Sequence, residues 1–137
     1  MKVAISYPPL DSAKGIPLLA QNRQFQYASL AWTAYPMVPA SAASLLKREG
    51  FEVFWDDAVN EGLNYESWKK RIVAEKPDVV VIEAKTPVIK KYWKVIADLK
   101  TLLPGTQTVL MGDHVTALPE ESLQNCPVDY VLTGGDF

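Results

Sequence analysis

The chain has 137 residues, 48% of them hydrophobic, with 14 Lys and Arg against 16 Asp and Glu for a formal charge of -2. That length and apolar content suit one independently folding domain with one core. The basic residues are scattered, so the stripe needed to neutralise phosphates does not form, which excludes nucleic acid as the main partner.

The longest apolar runs, such as Val79 to Ile82, are strand-sized and far short of the roughly 20 residues a membrane helix needs. The start, Met1-Lys2-Val3-Ala4-Ile5, enters a strand directly without the apolar region of a signal peptide, so a cytoplasmic protein is expected. Cys126 is the single cysteine, which excludes an internal disulfide, a cysteine-based zinc site and a self-contained iron-sulfur cluster. It reads as a small buried spacer rather than a nucleophile.

Lys2 to Tyr7 reads as a first strand, ended by Pro8-Pro9 because proline supplies no ladder donor. A helix fits Pro39 to Glu49, with Ala42, Leu45 and Leu46 on one face, Lys47 and Arg48 in its last turn and Gly50 at its end. Phe51 to Trp55 follows as a strand. Tyr65 to Glu75 carries Trp68, Ile72 and Val73 at helical spacing, with Asn64 as its cap, Lys69, Lys70 and Arg71 facing outward, and Pro77 closing it.

Asp78 to Glu83 holds the β-branched run Val79-Val80-Val81-Ile82, the mark of a central strand covered on both faces. Thr86-Pro87 reads as a cap and first-turn proline. Val88, Tyr92, Val95, Ile96, Leu99 and Leu103 then form an apolar stripe down a long helix that stops at Pro104-Gly105. Thr108 to Met111 is a fourth strand, Pro119 to Leu123 a short helix with Glu120 and Glu121 in its first turn, and Val128 to Leu132 a fifth strand.

Strand, helix, strand alternation forces right-handed parallel crossovers. The expected architecture is therefore α/β, a flavodoxin-like, Rossmann-like doubly wound sheet of five parallel strands in the order 2-1-3-4-5, in three α/β/α layers. One stretch breaks the pattern: Pro8 to Val38 is far longer than the usual strand-to-helix connection. Its aromatic residues Phe25, Tyr27, Trp32 and Tyr35 either pack on the domain's own core or wait exposed for a ligand or another domain, with Trp32 and Tyr35 expected to pack.

Ligands of such sheets bind beyond the carboxyl ends of the strands, near the point where strand order reverses. The loops there are Tyr7-Pro8-Pro9-Leu10, Glu83-Ala84-Lys85-Thr86, Gly112-Asp113-His114 and Gly134-Gly135-Asp136. Neither a P-loop nor a G-x-G-x-x-G fingerprint follows any strand, which argues against a dehydrogenase. Ser6-Tyr7-Pro8-Pro9 stands where a phosphoacceptor receiver needs an acidic cluster. His114, the only histidine, reads as a loop residue making hydrogen bonds, and Lys85 and Asp113 as solvated loop charges. No Ser, His and Asp triad is read around that histidine. The loops offer a binding site rather than a catalytic one.

The order of Tyr7-Pro8-Pro9-Leu10, Thr86-Pro87, the run Gly112 to Glu121 and the run Val128 to Asp136 resembles the N-terminal cobalamin-binding domain of cobalamin-dependent radical S-adenosylmethionine enzymes. The run from Gly112 to Asp136 is similar to that family's Gly-Gly-Pro-His and Gly-Glu-Gly-Glu segments. The resemblance implies a corrin ring over the carboxyl edge, its nucleotide tail running down between strand and helix into space left by Ala84, Gly112, Gly134 and Gly135. Cofactor contacts would come from Pro8, Pro9, Leu10, Ala84, Lys85, Thr86, Gly112, Asp113, His114, Thr133, Gly134 and Gly135, with no catalytic and no metal-ligating residue.

The Asp-x-His-x-x-Gly motif of carriers that place a histidine on cobalt is missing after the first strand, and Asp11 and Gly15 do not restore it. Asp113, Gly135-Asp136 and the charged Glu83-Ala84-Lys85 depart from the family pattern. The resemblance further implies that residues 1 to 137 are one cobalamin-binding domain of a longer protein. In that protein a downstream domain would carry the iron-sulfur cluster and S-adenosylmethionine and perform methyl transfer or a ring closure. The competing reading is a flavodoxin-like interaction or scaffold domain that has lost the cofactor, with Phe25 to Tyr35 as its docking surface.

Overall fold

The computed structural model describes residues 1–10, 15–18, 26–28 and 35–134. The elements are β1 (Lys2–Ser6), β2 (Ile16–Leu18), β3 (Gln26–Ala28), α1 (Met37–Arg48), β4 (Glu52–Asp56), α2 (Tyr65–Glu75) and β5 (Val79–Glu83). A single 3-10 turn, Thr86–Val88, leads into α3 (Ile89–Leu102), followed by β6 (Gln107–Met111), α4 (Asp113–Ala117), α5 (Pro119–Asn125) and β7 (Tyr130–Val131). β4-β1-β5-β6-β7 form one sheet, all neighbours parallel, which is the expected order 2-1-3-4-5.

The run Val79 to Ile82 lies at the sheet centre, with β1 on one side and β6 on the other. Side chains alternate between faces along a strand. Ala4, Ser6, Val80, Ile82, Thr108 and Leu110, all 0% exposed, therefore form one sealed face. The helices that seal it are tied to it and to one another. Trp68 of α2 donates Nε1–H to Asp56 Oδ2 at 2.8 Å and to Ser6 Oγ at 3.1 Å, Tyr65 of α2 donates to Asp98 of α3 at 2.9 Å, and Trp93 of α3 donates to Ser122 of α5 at 3.0 Å. The predicted stripe of α3 is buried from Val88 through Leu99, with Leu103 packed against its edge.

Several local expectations need correction. The segment between β1 and α1 contains an antiparallel hairpin, Ile16 paired with Ala28 and Leu18 with Gln26, so strand and helix do not alternate throughout. α1 buries Pro39 and Ala43, whereas Leu45 is 49% exposed, because the helix leans on β4 through its small residues. Arg71 does not face outward; it turns back to Asp56 Oδ1 at 3.1 Å and also reaches Glu61. β7 keeps two ladder residues of the five expected.

Thr86 does not cap a helix. Lys85 occupies the flanking extended position without a side-chain cap, while the Thr86 hydroxyl lies 3.3 Å from His114 Nδ1. Asn64 behaves as expected, its Oδ1 accepting from Ser67 N–H at 2.8 Å. Among the described residues no helix is long and apolar enough to cross a membrane.

Candidate functional site at the carboxyl edge of the sheet

β1, β5, β6 and β7 all run out on the same edge, so their exits share one rim. β1 ends in Tyr7, whose amide donates to Asp56 O at 2.8 Å and whose ring is 3% exposed. A rigid pair of prolines follows, Pro8 buried and Pro9 half-buried, which carries Leu10 back into the core at 9% exposure. Pro9 and Leu10 line a shallow groove of about 360 Å³ together with Tyr65, Lys91 and Lys94, on the outer side of the rim.

The β5 exit is built differently from the expectation of solvated charge. Glu83, Ala84 and Lys85 are 4%, 0% and 5% exposed. Lys85 Nζ lies 3.1 Å from Glu83 Oε1 and 2.9 Å from Asp113 Oδ2, and Glu83 Oε2 accepts the Tyr7 hydroxyl at 2.7 Å. Lys85 thus joins Glu83 and Tyr7 in a buried polar chain, because extended backbone sends residues two apart to the same side, and Asp113, its side chain 39% exposed, closes that chain at the solvent end. Burial disfavours the Lys85 ammonium, yet the hydrogen bond it donates to Asp113 and the charge of Glu83 outweigh it and raise its pKa. Burial and the neighbouring Glu83 carboxylate push the Tyr7 phenol far up, and burial does the same to Tyr92, whose hydroxyl has no hydrogen-bond partner among the described residues.

Gly112, expected to open a loop, instead turns β6 directly into α4 with φ +103°, a conformation open to glycine. A Cβ there would lie 2.8 Å from the Ala84 carbonyl oxygen and 3.2 Å from Glu83 Cγ. The smallness of Gly112 is therefore used by the backbone of the adjacent strand. His114 on α4 is 2% exposed, Nδ1 facing Thr86 and Nε2 lying 3.2 Å from Glu121 Oε2 without hydrogen-bond geometry. Its ring meets Trp93 edge-on at 6.3 Å.

Among the described residues the β7 exit is open: Leu132 N–H still donates to Leu110 O at 2.9 Å, but Thr133 and Gly134 are exposed, and a Cβ on Gly134, at φ +120°, would meet none of those residues within 4 Å. Gly135 lies outside the described residues, as do Phe25 and Trp32 and the side chain of Tyr27. Tyr35 is 52% exposed, its ring 6.0 Å from that of Trp55, so it packs against the domain and keeps half its surface in solvent.

Ala84, Lys85, Thr86, Gly112, Asp113 and His114 are thus brought together, Thr133 and Gly134 form the adjoining open rim, and Pro9 and Leu10 line a separate groove beyond Tyr7. Sequence reasoning left Glu83 and Tyr92 out of the cofactor contacts. The signal for Glu83 was a carboxylate closing an otherwise β-branched run; Tyr92 sat inside a helical core stripe and carried none.

The sequence matches the B12 binding domain family over residues 28–136. The chain belongs to that family. The resemblance drawn from Tyr7-Pro8-Pro9-Leu10 and from Gly112 to Asp136 is thereby borne out, and so is the flavodoxin-like sheet. This B12 binding domain is 32% identical over 106 residues to the anaerobic magnesium-protoporphyrin IX monomethyl ester cyclase of Rubrivivax gelatinosus, covering 76% of the chain and 18% of that protein. It is 29% identical over 136 residues to an uncharacterized methyltransferase of Pyrococcus horikoshii, covering 98% of the chain and 27% of that protein. The chain thus spans well under a third of either relative. No solved structure matches it.

The rim of this B12 binding domain fits a broad ligand only in part. The side of Thr86, Pro87, Thr133 and Gly134 is exposed and, at Gly134, sterically open, so backbone and hydroxyl groups there can meet a ligand's polar edge. The depth between Ala84 and Gly112 has no room, because the two backbones already touch. Among the described residues no group of three His, Cys, Asp or Glu side chains is placed to hold a metal ion.

Proposed function

We propose that this domain holds a cobalamin over the carboxyl edge of its sheet, as a cytoplasmic module of a radical S-adenosylmethionine enzyme. The family match over 28–136 carries the reading, because it takes in the exits of β5, β6 and β7 together. In this reading Thr86, Thr133, Gly134 and Gly135 meet the cofactor directly. Ala84, Lys85, Gly112, Asp113 and His114 hold those loops in place from below, and Pro8, Pro9 and Leu10 bound the site on the β1 side. The protein supplies no histidine to cobalt, since His114 is 2% exposed with its ring nitrogens facing Thr86 and Glu121.

The corrinoid, when bound, supplies a cobalt centre for group transfer. The chain's own residues bind, orient and exclude water. The iron-sulfur cluster and S-adenosylmethionine belong to a catalytic domain that follows residue 137 in the whole protein. The names of the two relatives, a cyclase and a methyltransferase, support ring closure or methyl transfer as the reaction. Titration with hydroxocobalamin tests the binding: a shifted visible spectrum and co-elution on gel filtration are expected, and elution free of cofactor at high micromolar concentration overturns the reading.

The buried chain Tyr7, Glu83, Lys85, which ends on the part-exposed Asp113, favours one alternative, an interaction or scaffold domain without cofactor, because it fills the crevice where strand order reverses. The same titration decides between them, since a scaffold leaves the spectrum of hydroxocobalamin unchanged.

A further inference from the structure

Thr86 and His114 leave different strands and meet under the rim. Thr86 opens the 3-10 turn after β5 and is exposed. His114 stands on α4 after β6, and its Nδ1 lies 3.3 Å from the Thr86 hydroxyl oxygen. Its other ring nitrogen, Nε2, is fully buried and lies 3.2 Å from Glu121 Oε2 on α5. One imidazole thus stands between an exposed hydroxyl and a carboxylate.

A neutral imidazole carries one proton, so one nitrogen donates and the other accepts. The partners of the two nitrogens decide which. A carboxylate offers acceptors only. The Glu121 contact lacks hydrogen-bond alignment, so its influence is electrostatic: an N–H on Nε2 is drawn to the carboxylate, whereas a bare lone pair there is repelled. Trp93, edge-on to the ring at 6.3 Å, does not compete for Nε2, because its own N–H is spent on Ser122. Nε2 therefore holds the proton, Nδ1 accepts, and the Thr86 hydroxyl supplies the hydrogen between them.

A threonine hydroxyl has one hydrogen and two lone pairs. With that hydrogen spent on His114, the exposed oxygen has only lone pairs to offer. We infer that Thr86 is a hydrogen-bond acceptor for the bound ligand, and that His114, oriented by Glu121, is the positioning residue that fixes this polarity. The inference rests on the cobalamin reading for the ligand and names the chemistry of its contact: Thr86 takes an N–H or O–H group and disfavours a phosphate oxygen, which only accepts. A cobalamin has two such sources, the carboxamides at the corrin edge and the ribose hydroxyl of the nucleotide tail.

His114 is the only histidine of the 137-residue chain, so nitrogen NMR of the labelled imidazole reads its tautomer without ambiguity. Near neutral pH a proton on Nε2 and a bare Nδ1 are expected, with the share of the Nδ1–H form rising in Glu121→Gln. A proton on Nδ1 in the parent, alone or together with one on Nε2, overturns the inference, and an unchanged tautomer in Glu121→Gln overturns the part given to Glu121. Titration supplies the second arm. Thr86→Val is expected to weaken hydroxocobalamin binding about threefold to tenfold, the worth of one neutral hydrogen bond, and Thr86→Ser to keep most of the affinity. Equal affinity of the parent and Thr86→Val overturns the contact. Cobinamide, which keeps the corrin carboxamides and lacks the nucleotide, separates the sources: an equal loss places a carboxamide on Thr86, and a loss confined to hydroxocobalamin places the ribose there. The Nε2–H tautomer with no hydroxocobalamin bound overturns the cobalamin reading and leaves the polarity of Thr86 standing. Bound hydroxocobalamin with the Nδ1–H tautomer does the reverse.

Discussion

Tyr7 and Glu83 meet across the point where the order of the strands reverses, the phenol donating to Glu83 Oε2 at 2.7 Å with both side chains almost fully buried. The bond ties the exit of β1 to the exit of β5, so two loops that would otherwise move independently share one support. From Glu83 the chain continues through Lys85 to Asp113 and the start of α4. Three of the four strand exits are thereby held as a unit beneath the exposed rim.

Replacing Tyr7 with Phe keeps the ring and its 6.0 Å contact with Trp55 but leaves a buried carboxylate short of a donor. A loss of about 1.5–3 kcal/mol is expected, the range for hydrogen bonds to charged groups. Urea unfolding checks it: the midpoint should fall with an unchanged slope.

Lys85→Met leaves Glu83 without its cation in a site where the lysine side chain is 6% exposed. Breaking a buried pair on one side costs about 3–5 kcal/mol. Adding Glu83→Gln removes the stranded charge, so the double variant is expected to lose less than the sum of the single losses. A double-mutant cycle by thermal or urea unfolding measures that coupling, and strict additivity would disprove the pairing.

Asp57 gives the clearest pH dependence. Its Oδ1 accepts from Asn60 N–H at 3.1 Å, while its buried Oδ2 has no partner among the described residues. Burial, aided by the charges of Glu61 and Asp56, raises its pKa from 3.8 in spite of that hydrogen bond. A carboxyl whose folded pKa is raised favours folding fully below its unfolded pKa and loses that contribution as pH rises through the folded value. Asp57→Asn keeps the acceptor and removes the charge. It is expected to raise stability at pH 7 by about 1 kcal/mol, the order of cost for a poorly paired buried polar group. The difference from the parent should shrink towards pH 3, as read by thermal melts across that range.

Gly112→Ala and Gly134→Ala separate structure from binding. The first places a Cβ 2.8 Å from Ala84 O at φ +103° and is expected to cost at least about 2 kcal/mol through clash and backbone strain. The second meets nothing within 4 Å, so its stability loss is confined to the left-handed strain of about 1–2 kcal/mol. Under the proposed function Gly134→Ala also weakens hydroxocobalamin binding by roughly tenfold, about 1.4 kcal/mol. Unchanged affinity would remove Gly134 from the site.

What the order of residues determined by itself was the frame. The run Val79 to Ile82, the stripe from Val88 to Leu103 and the Asn64 cap are local periodicities, and local geometry enforces them before any long-range contact forms. Alternation of strand and helix then left few topologies, so the sheet order followed, and the sequence of motifs at the strand exits disclosed the family. Tertiary structure alone decided which charges are buried. In sequence Lys85 and Asp113 are ordinary loop charges, Glu83 is a charge closing a strand, and Gly112 is an ordinary turn glycine. Only the parallel pairing of β5 with β6, which sets Glu83 opposite Met111, brings the Ala84 carbonyl against Gly112 and Lys85 within reach of Asp113. Contacts between residues about 28 positions apart depend on register and crossover geometry, and no local pattern encodes them. The hairpin β2–β3 stayed hidden for a related reason: three-residue strands are too short to display a period.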